Sequence, residues 1–199
     1  LILHDDQGVS FFNDSVDGIA PTKSRIVSYA NLLGFIFADF NSTLTQAVDS
    51  EPSGYMFGSS NNNKIIFDAA DIGASYLPGH AHADTLSFEF SIGKERVFVN
   101  SGVSEYGNSE ERLRQRQTKA HNTVEVDNKD SSQVWSSFRV AKRADAFGRI
   151  CNIEGKRICL SASHDGYKSI NGGPIHTRSI TMECQQLVIE DILEGNYNL

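Results

Sequence analysis

Apolar residues recur at helical spacing in one clear place. After Pro21, residues Ile26, Val27, Ala30, Leu32 and Leu33 follow that period and Gly34 offers a stop, which predicts a helix from Lys23 to Leu33. From about Tyr55 the pattern changes to short runs rich in β-branched and aromatic residues, broken by Gly, Asn and Asp. These runs predict strands at Lys64 to Asp68, Leu86 to Ile92, Arg96 to Val99, Thr123 to Val126, Trp135 to Ala141, Ala144 to Phe147, Arg149 to Ile153, Arg157 to Ser163, Ile175 to Met182 and Gln186 to Asp191. Hairpin turns are expected at Ile92-Gly93-Lys94-Glu95 and at Glu154-Gly155-Lys156, and Ser59 to Asn63 reads as a turn. Short strands with frequent turns predict a mainly β fold of stacked antiparallel sheets, a β-sandwich. In Leu86 to Ile92, Phe88, Phe90 and Ile92 alternate with Ser87, Glu89 and Ser91, so one face is expected in the core and the other in water. The shift near Tyr55 divides the chain into a linker region, 1–54, and a β-domain, 55–199. Gly102 to Ala120 is polar and arginine-rich, and predicts a long loop of functional interest.

At 199 residues the chain can bury one substantial core, and its net charge of -7 gives no footprint for nucleic acid. Arg112, Arg114, Arg116 and Lys119 form a local basic group, either an attractor for an acidic ligand or a solvated face. No apolar run approaches the roughly 20 residues of a membrane span. Cys151, Cys159 and Cys184 make no disulfide framework; a bridge between Cys151 and Cys159 across their hairpin is geometrically open, with free thiols the expected state. Leu1 in place of Met fits a piece of a longer protein.

The sharpest chemical feature is Gly79-His80-Ala81-His82-Ala83-Asp84. On extended backbone both imidazoles point to one side, where they can share a metal or divide labour between metal and substrate. His121 and Asn100 also sit at ends of predicted strands. Two histidines and an oxygen ligand, with water in the last position, satisfy a tetrahedral zinc. The same three side chains also read as a metal-free hydrogen-bonded cluster pinning strand ends together. Asp84 and Glu89 are either acceptors for imidazole N–H groups or a turn residue and an exposed strand residue.

Residues Gly79 to Glu89 resemble the GHxHAD-x-LSFE signature of the heparinase II/III-like polysaccharide lyases. Val97 to Gly102 resembles that family's LLVDPG segment, and Arg116 to Val124 its RSTxAHNTV segment. Gln133 to Phe138 follows in the right order, and His164-Asp165-Gly166-Tyr167 with His176-Thr177-Arg178 resembles a later pair of motifs. The resemblance implies an α/α toroid followed by a supersandwich-like stack of antiparallel sheets, with the helix near Lys23 left over from the toroid. It implies a lyase cleaving uronate-containing acidic glycans by β-elimination, incomplete without its toroid domain, and periplasmic or secreted. Its partners would be the acidic polysaccharide and that toroid.

By position, the resemblance makes His80 and Tyr106 catalytic and His82, Asn100 and His121 the zinc ligands. Arg116 would neutralise a substrate carboxylate or anchor its loop, and Trp135 would stack on a sugar or pack in the core. Asn100 stands where the family usually has aspartate, and a neutral amide is a poorer ligand, so zinc occupancy is expected to be weakened. His164, Tyr167, His176 and Arg178 are expected in packing or interdomain roles. Two other readings stand beside the lyase: a non-catalytic carbohydrate-binding or scaffold module, and a metal-dependent hydrolase on the same sandwich.

Overall fold

The computed structural model describes residues 3–36 and 45–196. Within them the chain is mainly β, with three antiparallel sheets and two α-helices. Helix α1 (Lys23–Leu32) is capped by Thr22, whose hydroxyl accepts from the Arg25 N–H, and buries none of its residues. A five-stranded meander follows: β1 (Gln46–Ser50), β2 (Tyr55–Ser60), β3 (Asn63–Asp68), β4 (Phe88–Ile92) and β5 (Glu95–Phe98). Helix α2 (Glu110–Arg116) and a ribbon of β6 (Val134–Trp135) and β7 (Arg139–Val140) precede a second sheet of β8 (Ala146–Glu154), β9 (Arg157–His164), β10 (Ile175–Glu183) and β11 (Gln186–Glu194). No helix among the described residues is long and apolar enough to cross a membrane.

The two large sheets bury one core between them. Met56, Phe67 and Phe88, and Ile65 and Phe90, are in register across β2 to β4 and meet Ile158, Leu160, Ala162, Ile180 and Met182 from the second sheet. Gly58 lets the sheets approach, because a Cβ there would lie 2.9 Å from Ile158 Cγ2.

The other face of the first sheet differs from expectation. Glu89 and Ser91 are fully buried, not solvated, because residues 3–14 run across this face as a strap. His4 bonds Glu89 through Nε2 at 2.8 Å and Ser91 through Nδ1 at 2.9 Å. Glu89 also accepts the backbone N–H of Phe11 at 2.7 Å and of Asn100 at 3.0 Å. Lys64 bonds Asp5, Arg96 pairs with Asp6, and Phe12 packs with Phe57 and Ile66.

Several strand expectations are corrected. Strands β1 and β2 arise where none was expected, and β1 falls within the segment read as linker while pairing along its whole length with β2. The turn expected at Ser59 to Asn63 narrows to Asn61 and Asn62, both at positive φ. Thr123 to Val126 is no strand, since side chains take its neighbouring carbonyls: Arg178 donates to Asn122 and Tyr167 to Val124. Trp135 to Ala141 splits into β6 and β7 around a turn in which Ser136 has positive φ. Ala144 to Phe147 and Arg149 to Ile153 join as β8, whose register shifts between Phe147 and Ile150 around Gly148 at φ +65°. All three cysteines are free, and Cys151 opposes Leu160 while Cys159 opposes Asn152, so the two thiols face opposite sides of the sheet.

His164, Tyr167, His176 and Arg178 are all buried. Nδ1 of His164 accepts the Gly166 N–H at 3.0 Å, so its Nε2 carries the hydrogen and donates to His176 Nδ1 at 3.1 Å. His176 Nε2 in turn donates to Asp191 at 2.7 Å, and Arg178 holds both Asp191 oxygens at 2.8 Å. Arg178 also reaches across the core to the Leu86 carbonyl at 2.7 Å, fixing a buried leucine held at φ +63° just ahead of β4.

Burial, and then the neighbouring His176, push His164 down to about 3 from an ordinary 6.5. The unfolded chain therefore takes up a proton near pH 6.5 that the folded chain refuses until near pH 3, and stability is lost as pH falls through that window. The slope is up to about 1.4 kcal/mol per pH unit. Denaturant titrations of wild type and His164→Gln across this range should show the wild type losing stability relative to the variant as pH falls. Parallel curves would contradict the assignment.

Candidate functional site

The site forms where three chain segments meet at one end of the first sheet. Pro78–His80 is a 3-10 turn and Ala81 is extended, so His80 and His82 reach a common side through a turn and not along a strand. That common side is Asp14, at the end of the strap: His80 Nδ1 lies 2.9 Å from Oδ2, and His82 Nε2 lies 2.8 Å from Oδ1. The strap is fixed immediately before this point, where Asn13 donates its N–H to Asp84 at 2.9 Å and its side-chain oxygen accepts the His82 N–H at 3.0 Å.

The stretch Gly102 to Ala120, expected as a loop, carries α2 instead. Its heptapeptide has one apolar residue, Leu113, so no hydrophobic period announces it. The helix is held by its ends: Ser109 caps the Arg112 N–H at 3.0 Å, Glu110 and Glu111 sit in the first turn, and Arg114 and Arg116 in the last. The basic group therefore divides. Arg114 is exposed and pairs with Glu111, while Arg112 and Arg116 are fully buried. Arg116 donates to the carbonyls of Ala81, Ser136 and Pro78, which is the anchoring role, and burial followed by the charge of Arg112 lowers it to about 10. Arg112 clasps Asp14 with both terminal nitrogens and stacks on the rings of Tyr106 and Phe138 at 5.1 and 5.4 Å.

Two of the expected residues meet in the open. The Tyr106 hydroxyl is 3.0 Å from His80 Nδ1, and the rings stack at 5.7 Å and 20°. The His80 side chain is 57% exposed and Tyr106 59%, so this pair faces solvent. Trp135 is also exposed, at 45%, with Arg139 over its ring at 4.9 Å; it does not enter the core.

His82 and His121 meet in the interior, His82 Nδ1 lying 3.3 Å from His121 Nε2. Asp84 joins them, and one ligand atom from each of the three lies within 4.8 Å of the others. The third expected ligand, Asn100, is differently engaged: its side-chain oxygen accepts the Asn122 N–H at 3.0 Å, and its buried amide nitrogen has no partner. His121 Nδ1 is likewise buried without a partner. Burial, with the charge of His82 added, lowers His121 to about 3. Burial raises Asp84, and burial together with Asp84 raises Asp68 well above the usual carboxylate range. Burial also works to raise Asp14, but hydrogen bonds from His82 and Arg112 outweigh it and hold that carboxylate at about 2.

Sequence reasoning missed Asp14 as a site residue, and named Arg112 only within a basic group read as an attractor for an acidic ligand or a solvated face. Arg112 had a signal in the Ser109 cap and the acidic first turn that follows it; Asp14, 66 residues before His80 and in a stretch without periodicity, had none.

The family model described as Heparinase II/III-like, C-terminal, matches residues 43–198. No curated protein matches the chain. Among solved structures, the chain is similar to the heparan sulfate lyase HepC from Pedobacter heparinus, with TM-score 0.69, 20% identity, and coverage of 98% of this chain and 31% of that one. It is similar to the heparinase III BT4657 gene product with TM-score 0.68, 19% identity, and coverage of 98% and 31%. A further heparinase III matches with TM-score 0.64, 17% identity, and coverage of 95% and 31%. At these identities the likeness is one of fold, and the chain spans about a third of those proteins. With the family model matched over most of its length, this chain belongs to the heparinase II/III-like C-terminal family.

Proposed function

We propose that this chain is the β-domain of a polysaccharide lyase that opens uronate-containing acidic glycans by β-elimination, with an N-terminal α/α toroid completing the active site. The observation that carries the reading is the exposed pair of His80 and Tyr106, imidazole and phenol 3.0 Å apart above a buried Arg112. β-Elimination needs a proton taken from C5 of the uronate and another delivered to the leaving glycosidic oxygen. An imidazole and a phenol within hydrogen-bond reach are groups able to exchange those protons. Trp135 offers an aromatic face to a sugar ring. The names of the structural neighbours make heparan sulfate the first substrate to test.

The same reading takes His82 and His121 as zinc ligands, with Asp84 supplying the carboxylate that Asn100 lacks. The residues fit the ion: the two facing nitrogens are 3.3 Å apart, and burial pushes the nearby Asp84 carboxyl up. That spacing suits two ligands at the roughly 2.0–2.1 Å Zn–N distance of a tetrahedral site. Bound there, zinc would supply the positive charge that lets Asp84 ionise. Around it, Asp14 holds the outer nitrogen of His82, the arrangement in which a carboxylate orients a metal-binding imidazole.

Two outcomes are expected. In calorimetric titration with zinc, Asp84→Asn should bind at least about tenfold more weakly and Asn100→Asp more tightly than wild type; equal affinity in Asp84→Asn would remove it from the ligand set. In the full-length protein, His80→Ala should lower formation of unsaturated uronate, followed by ultraviolet absorbance on a glycan panel, by about 10² or more while leaving the thermal midpoint unchanged. Unchanged turnover removes His80 from the chemistry, and products without an unsaturated end favour a hydrolase.

A further inference from the structure

Asp14 serves two imidazoles at once, and hydrogen-bond directions limit how it can do so. Arg112 faces both Asp14 oxygens, and a guanidinium only donates. A carboxylate paired with it is an acceptor at each oxygen. The imidazole nitrogens that face Asp14 must therefore carry hydrogen: Nδ1 of His80 at 2.9 Å and Nε2 of His82 at 2.8 Å, the latter contact prevailing over the longer 3.4 Å approach of Arg112 Nη1 to the same nitrogen, which a protonated Nε2 does not accept. A neutral imidazole has a single N–H, so each ring keeps its lone pair on the other nitrogen. For His80 that is Nε2, on a ring more than half exposed. For His82 it is Nδ1, which faces His121 in the interior.

We propose that Asp14 is a positioning residue that sets opposite tautomers in the two histidines of the His80-Ala81-His82 motif, aiming one lone pair at the open side and the other at the buried cluster. Its meaning for turnover rests on the lyase reading above. A sequence motif alone cannot give the two rings different tautomers, since both are histidines on one short segment. A carboxylate placed between them can.

The placement of Asp14 is built in. Glu89 holds the Phe11 N–H, Phe12 is buried beside Phe57 and Ile66, and Asn13 is tied to both Asp84 and the backbone of His82. Each of the three residues before Asp14 is thus fastened, and the carboxylate arrives with little freedom left. Asp14 also lies outside residues 43–198, the part of the chain that the family model matches. The inference has a consequence for Tyr106. With the Nδ1–H of His80 given to Asp14, the Tyr106 hydroxyl, 3.0 Å from Nδ1, cannot donate to that nitrogen, and the lone pair open to its proton on this ring is at Nε2, 3.5 Å away.

The test is a two-bond proton–nitrogen spectrum of the 15N-labelled, chelator-treated chain at about pH 8, where an ordinary imidazole is neutral. His80 and His82 signals are assigned by their loss in the matching alanine variants. His80 should appear as the Nδ1–H form and His82 as the Nε2–H form. His80 in the Nε2–H form in wild type overturns the proposal, with no variant needed. In Asp14→Asn, the amide offers one acceptor and one donor, so one of the two rings should exchange its protonated nitrogen. A folded variant with both rings unchanged also overturns it. Tautomers as stated, with no unsaturated uronate from any glycan, sink the lyase reading and leave Asp14 in its assigned role.

Discussion

A carboxylate is hard to bury, and much of this molecule follows from burying Glu89. Removed from water, it must find donors or raise the free energy of the fold by several kcal/mol. It finds three of them on two segments: the imidazole of His4, the amide of Phe11 and the amide of Asn100. Two belong to the N-terminal strap, so the polar face of β4 is closed by the residues that satisfy it. The third fixes the chain where it leaves β5 on the way to α2. One acid group therefore ties the strap, the sheet and the approach to the helix into a single arrangement.

The histidine cluster inherits its geometry from that arrangement. The strap brings Asn13 and Asp14 to the His80–His82 segment, and α2 brings Arg112 to the far side of Asp14. From the opposite sheet, Arg178, held on Asp191, grips the carbonyls of Leu86 and Asn122. Those two carbonyls belong to the segments that carry His82 and His121. The alignment of the two histidines is thus coupled to the stacking of the sheets through Arg178.

Much of the fold was legible because it follows local rules. The hairpins at Gly93 and Gly155, and the long strands β9 to β11, have alternation and turn chemistry of their own. The histidines were legible from spacing, and the structure does bring His82 to His121 and His80 to Tyr106. The exposure of Glu89 was misread because alternation reports which residues share a face, not what later covers that face. Helix α2 escaped because its inward side is polar: Arg112, Gln115 and Arg116 are buried through hydrogen bonds, where a hydrophobic pattern has nothing to detect. Asp14 escaped because its role exists only through contacts 66 or more residues away in sequence.

The strap also bears on where the unit that the family model matches can be cut. A gene trimmed to residues 43–198 would keep every motif that identifies the family and discard the peptide that seals the first sheet. Phe57 and Ile66 would lose their cover, and the guanidinium of Arg112 would sit in the interior without its counter-ion. Homology marks the borders of what is recognisable, whereas the packing of the first sheet reaches back some forty residues further, to His4.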